Sequence, residues 1–198
     1  YLLSRYEEYL PHMRDQYDRF MAKDSIAFKH GYLQTAVVDR WVIQLKQTLK
    51  EHFPELNFED NTFSYLPTID IDNAYAYKHK GLIRTIGSLG KAILKLDFTI
   101  LWSQIRVLLG QEKDPFDTYN YQLNIQKRYH IKPIYFILIG DYGLNDKNLS
   151  FESRQFKSLI KKLSDYAFLG IHPSFGSNRK KEKLKVEIER LQSIVKGE

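Results

Sequence analysis

The chain has 198 residues, 43% of them apolar and 27% charged, and it contains no cysteine. This composition suits one folded core with an added layer, and it excludes a disordered polymer, a disulfide scaffold, a thiolate metal site and a cysteine nucleophile. No apolar run reaches the roughly eighteen residues of a membrane span. The net charge of +6 admits acidic partners, but no nucleic-acid-binding motif accompanies it, so nucleic acid is not an expected partner. The chain begins at Tyr1 without a Met or a leader-like segment, and it is read as a piece of a longer chain.

Residues 1–23 interleave aromatic and charged side chains around Pro11 without a clean period. A short helix over Leu2–Leu10 and an irregular arm are predicted, with Asp24 and Ser25 as caps for the next turn. From Ala36 to Phe53, the residues Val37, Val38, Trp41, Leu45, Leu49 and Phe53 recur at helical spacing. This predicts an amphipathic helix that packs the stripe into a core, with Asp39 in its first turn and Pro54 as its stop. Residues 1–60 are thus read as a helical or irregular N-terminal region, and 61–198 as an α/β unit. Trp41 and Trp102 are read as packing residues.

A central strand is predicted over Phe63–Asp70. It leads into LPTIDIDNAY, residues 66–75, in which Asp70 and Asp72 stand two apart. Strand alternation puts both on one face. Two carboxylates on a buried strand require a cation or a shared proton. The next stretch is interrupted by Gly81, Gly87 and Gly90 and made basic by Lys78, Lys80 and Arg84, with His79 among them. It is read as a loop and helical pieces to about Leu109. Its glycines match neither a dinucleotide fingerprint nor a phosphate loop.

Asp114-Pro115 opens a turn, and a helix is predicted over Thr118–Tyr129. The apolar run IYFILIG, residues 134–140, reads as a strand covered on both faces, with Asp141 and Tyr142 beyond its end. A helix over Phe151–Tyr166 is expected to bury Phe156, Ile160 and Leu163. A third strand, Ala167–Ile171, ends at His172. A last helix, Lys181–Val195, is expected to turn Leu184, Ile188, Leu191 and Val195 inward.

Strands alternating with helices imply a parallel sheet with flanking helices, whose ligands bind at the C-terminal strand ends. Three polar clusters fall there: Asp70 with Asp72, Asp141 with Tyr142, and His172 with Ser174. Carboxylates and an imidazole together suit a divalent metal, with zinc favoured. Asp72 and His172 would be two ligands, and Asp70 would take a proton from water that the metal acidifies. The structural alternative makes one Asp a turn cap and His172 a satisfied fold residue.

TIDIDNAY, with Thr68, Asp70 and Asp72, resembles the first motif of the polysaccharide deacetylases, the carbohydrate esterase family 4 or NodB-homology group. IYFILIG is similar to that family's second strand, and LGIHPSFGS, residues 169–177, to its second motif. The order and spacing of the three agree with a bacterial branch of the family. The resemblance implies the first half of a deformed (β/α) barrel, a metal-dependent hydrolase that removes N- or O-linked acetyl groups from a carbohydrate, and a bacterial cytoplasm or cell envelope as its place. It assigns Asp70 as catalytic base and Asp72 and His172 as metal ligands. The family's second metal-binding His falls at Gly176, which leaves Ser174, Ser177, Asp141, His79 or water as alternatives for the third ligand. The catalytic acid would come from a missing second half, so the isolated chain is expected to be inactive, with an open sheet edge suited to homo-oligomers. A non-catalytic carbohydrate-binding module is the alternative. A phosphate-ester hydrolase on a similar sheet is disfavoured by the lack of clustered Arg or a phosphate loop.

Overall fold

The computed structural model of the chain describes residues 1–59, 62–178 and 180–196. The chain divides into two units, Tyr1–Phe63 and Ser64–Glu198.

The first unit has 3₁₀ turns at Tyr6–Tyr9 and Ala22–Asp24, a short helix α1 (Ile26–Lys29) and a long helix α2 (Val37–His52). The helix expected over Leu2–Leu10 shrinks to the first of these turns. Arg5 enters it in the left-handed region at φ 53°, and Pro11 follows it with no N–H to give. Ser25 does cap α1, its Oγ accepting from the Phe28 N–H at 3.1 Å. Asp24 instead accepts from the Met13 N–H at 2.8 Å, which ties the arm back. Helix α2 forms where its period predicts, but it buries no residue. Trp41 and Leu45 stand more than half exposed, so the expected burial of this stripe does not occur. Periodicity reports a helix with two unlike faces; it does not supply the surface that covers the apolar one.

The second unit is α/β. Strands β1 (Thr68–Ile71), β2 (Ile134–Leu138) and β3 (Phe168–His172) form a parallel sheet in the order β1-β2-β3. Helices α3 (Leu82–Leu94), α4 (Phe98–Leu108) and α5 (Tyr119–Tyr129) lie in the first connection, α6 (Arg154–Ser164) in the second, and α7 (Lys181–Lys196) after β3. The central strand is β2, and β1 lies at an edge. β1 is also shorter than predicted. Pro67 has no N–H, and its carbonyl accepts the Ile134 N–H at 3.0 Å, so strand pairing starts at Thr68. Phe63, Tyr65 and Leu66 remain exposed.

The register aligns Ile71, Ile137 and Ile171 in one row and Asp70, Phe136 and Gly170 in the adjacent row. Alternation sends these rows to opposite faces. The first face carries the core, where Ile71, Tyr135 and Ile137 pack with Tyr119 of α5, Phe156, Ile160 and Leu163 of α6, and Leu191 and Ile194 of α7. Each such fully buried side chain contributes about 1.5–3 kcal/mol. The stripe of α6 is the one predicted, capped by Ser153. In α7 the stripe is rotated: Glu187, Leu191 and Ile194 are buried, whereas Ile188 and Val195 are exposed. Glu187 turns inward because it is bonded to Ser174.

The second face is only partly covered. On it Phe136 lies over Gly170, where an added Cβ would fall 2.6 Å from two ring carbons. Gly170→Ala is therefore expected to lower the unfolding free energy by about 1–3 kcal/mol, measured by urea denaturation. An unchanged midpoint would mean that the ring moves aside freely.

Candidate functional site

The second face leads to the strand ends. Leu138 of β2 pairs with His172 of β3, and Asp72 follows the last residue of β1. Extending the register by one residue puts Asp72 and His172 on either side of Leu138. Their strands are two sheet spacings apart, about 10 Å, yet the side chains meet above Leu138, with Asp72 Oδ1 3.4 Å from His172 Nε2. Asp70 points to the same face, one row behind. Both carboxylates are exposed, against the expectation of burial. The Asp72 side chain is 63% accessible and the His172 ring 35%. The mutual repulsion of two acids is thus relieved by water.

The other ring nitrogen, His172 Nδ1, lies 3.2 Å from the Pro173 carbonyl. A carbonyl only accepts, so Nδ1 carries the proton in this contact. Neutral imidazole then presents the Nε2 lone pair to a carboxylate, an arrangement that invites a cation between them. Two ligands about 2.0–2.1 Å from a tetrahedral ion lie about 3.3 Å apart, which matches the observed spacing. Doubly protonated, the ring instead donates to Asp72 directly.

The turn after Asp72 is held by buried polar groups. Asn148 uses its whole amide: Oδ1 accepts from the Ala74 and Leu149 N–H groups at 2.9 and 2.8 Å, and Nδ2 donates to the Ile71 and Leu138 carbonyls at 3.0 and 2.8 Å. It therefore clamps the end of β1 to the end of β2. The Tyr119 hydroxyl donates to the Ala74 carbonyl at 2.6 Å, and burial pushes that phenol's pKa up. Asp114 accepts from the N–H groups of Ala76, Tyr77 and Lys78, and from Phe116 two residues on. Sequence reading sees only the last of these, as the turn that Asp-Pro opens.

The alternatives for a further ligand sit elsewhere or are engaged. Ser174 donates its hydroxyl to Glu187 and accepts from the Ser177 N–H, and the Ser177 hydroxyl donates to the Ser174 carbonyl. The two serines build the 3₁₀ turn Phe175–Ser177 and anchor it to α7. Gly140 is part of the same packing, because a Cβ there would meet Ser174 Cβ at 2.5 Å. Asp141 is paired with Arg190 at 2.8 Å. His79, in the left-handed region at φ 63°, packs edge-on to Tyr75. It lines a depression with Asp117, Asn120 and Arg154 that includes neither Asp72 nor His172. Burial lowers its pKa first, with Lys78 adding to the effect.

Among the described residues, no group of three or more His, Asp or Glu side chains is placed to hold a metal ion. Asp72 and His172 form a pair, 3.4 Å apart. A cavity of about 430 Å³ opens between the loop after β2, the Phe175 turn and α7, lined by Tyr142, Asp146, Phe175, Lys183 and Arg190 among others and by neither Asp72 nor His172.

Residues 1–54 match the model of a family described as being of unknown function, DUF7033, which lies within the first unit. No curated protein matches the chain. No solved structure matches it.

Proposed function

We propose that the second unit is the first part of a metal-dependent deacetylase acting on an acetylated carbohydrate. The observation that supports this reading most is the 3.4 Å approach of Asp72 and His172 from two non-adjacent strands, at ligand-to-ligand spacing. The motif resemblance around Thr68, Asp70 and Asp72 and the order of the strands agree with it. The open edges of β1 and β3 are where further strands of a (β/α) barrel would continue.

In this reading Asp72 and His172 hold a divalent ion, zinc by the chemistry of the pair. When bound, such an ion supplies Lewis-acid polarisation of an acyl carbonyl and acidification of water. Asp70, exposed on the same face and one row behind, accepts the proton of the attacking water. Pro173 fixes the His172 tautomer through its carbonyl. Asn148 and Asp114 hold the chain on either side of Asp72, so the carboxylate is positioned by the fold. Remaining ligands and the acid that protonates the leaving group come from outside these residues.

The test is zinc uptake after dialysis. About one zinc per chain is expected, lost in Asp72→Ala and in His172→Ala, with Asp70→Asn retaining it. Uptake that survives both ligand variants sinks the assignment, and so does a wild-type chain that retains no zinc. A second reading, a carbohydrate-binding module without turnover, is favoured by Gly176, which stands where the family carries its second His. Binding of acetylated oligosaccharide unaffected by chelator would select it.

A further inference from the structure

A second cavity, of about 450 Å³, is bounded by the turn after β1 and by helices α5 and α6, and it includes neither Asp72 nor His172. Of the ten residues that line it, only Leu159 has a purely apolar side chain. Helix α6 contributes Arg154, Ser158 and Lys162, whose four-residue spacing puts them on one face. Asn120 comes from α5 and Asp117 from the turn before it. His79 comes from the turn after β1, its ring edge-on to Tyr75 at 4.9 Å. The proposed hydrolysis uses none of these groups. An apolar ligand is excluded, because seating it would cost them their water without replacing its hydrogen bonds.

The charges around this cavity share it without meeting. Lys162 is held at its wall, Nζ donating to Asn120 Oδ1 at 2.6 Å, a neutral partner that leaves the ammonium charge uncompensated. The side chains of Arg154 and Asp117 have no hydrogen-bond or ion-pair partner among the described residues. By contrast, Lys157 of the same helix reaches Glu152, and Arg190 reaches Asp141. Burial, with Lys78 adding to it, lowers the pKa of His79, so its ring is uncharged at neutral pH. Two cations, Arg154 and Lys162, therefore face one acid, Asp117. Each simple ligand leaves part of this set unmet. An inorganic anion answers the cations and is repelled by Asp117. A neutral sugar answers Asp117, Asn120 and Ser158 through its hydroxyls and leaves the guanidinium without an anion. A hydroxylated anion answers both. Its carboxylate or phosphate takes the planar fork of Arg154 through paired hydrogen bonds, and its hydroxyls donate to Asp117.

We propose that this cavity binds a small hydroxylated anion, a sugar that carries a carboxylate or a phosphate, with Arg154 on the anionic group, Lys162 beside it and Asp117 on the hydroxyls. The inference does not rest on the deacetylase reading, and a chelator present throughout the test keeps the two apart.

The probes are glucuronate, a glucose monophosphate, glucose, inorganic phosphate and glycine, titrated separately into the chain while amide shifts are followed by NMR. At least one of the two sugar anions should saturate with a dissociation constant on the order of 1 mM, and which of them does so identifies the anionic group. Glucose and inorganic phosphate should each bind at least about tenfold more weakly. Arg154→Gln should weaken the sugar anion by about tenfold or more. Asp117→Asn should weaken it several-fold and leave inorganic phosphate no weaker. Lys183→Gln, outside this cavity, should change nothing. Arg154 is exposed, so its variant is expected to keep the wild-type circular dichroism spectrum. If neither sugar anion saturates by on the order of 100 mM, the proposal fails. It fails equally if Arg154→Gln binds as the wild type does, or if glucose binds as tightly as the sugar anions. Glycine binding more tightly than either overturns it in favour of an ammonium on Asp117.

Discussion

Asn148→Ala is expected to lower the unfolding free energy by about 3–4 kcal/mol, from four lost hydrogen bonds and the buried groups left without partners. The residue is 4% exposed, so water does not simply replace its side chain. It joins two strand ends and the turn after Asp72, and its loss frees the Ile71 and Leu138 carbonyls and the Ala74 N–H together. Asn148→Asp is the sharper variant. It keeps the shape and the acceptor, but it turns a second oxygen toward two carbonyls, so repulsion replaces attraction at both. The aspartate should be at least as destabilising as alanine. Urea unfolding at pH 7 measures both. A loss under about 1 kcal/mol for either would mean that the strand ends hold without the clamp. On the proposed function, zinc uptake should fall in whatever fraction remains folded, because Asp72 is then no longer held beside His172.

What the sequence made legible follows from range. Strand β2 and helix α6 announce themselves through local patterns, an unbroken apolar run and a 3.6-residue apolar stripe, and both are found where expected. The approach of Asp72 to His172 was legible for a different reason. Parallel strands gather their C-terminal ends at one edge, so a residue after β1 and a residue ending β3 are drawn together whatever lies between them. Asn148 and Asp114 left no comparable trace. Asn148 bonds Ala74 and Ile71, 74 and 77 residues away, and Asp114 bonds backbone groups 36 to 38 residues away. Nothing local distinguishes such an Asn or Asp from a solvated one. The misreadings in α2 and α7 share a cause. A helical period shows which residues lie together, and the face that turns inward is decided by partners: Glu187 goes in because Ser174 is there to bind it. Burial of Asp70 and Asp72 would follow from a central strand; β1 is at the edge beside a half-covered face, and both carboxylates keep their water.

Asp114→Ala is expected to cost about 3–4 kcal/mol at pH 7, and the cost should shrink in acid. The residue is 2% exposed, and its carboxylate accepts four backbone N–H bonds, at 2.7, 2.8, 2.9 and 3.0 Å. Burial by itself would raise its pKa; the four donors, from Lys78, Tyr77, Ala76 and Phe116, together outweigh that and hold it below the ordinary carboxylate value. Hydrogen bonds to a charged acceptor contribute about 1.5–3 kcal/mol each, with strong overlap among those sharing one group. A pKa lower in the folded chain than in the unfolded one means that the unfolded chain takes up the proton first as pH falls. The stabilisation is therefore complete above about pH 5, begins to decline near the unfolded value of about 3.9, and is lost as pH drops through the lower folded value. Unfolding free energies of wild type and variant at pH 7, 5 and about 3.5 should converge toward the acid end. Asp114→Asn should fall between them at pH 7, because one neutral oxygen replaces two charged ones. A gap that stays constant across this range would show that Asp114 acts by packing and not by its charge. The outcome bears on the site because the bonded segment, Ala76 to Lys78, begins four residues after Asp72. A neutral Asp114 frees that segment, and acid would then loosen the strand-end edge that carries Asp72 before it unfolds the sheet.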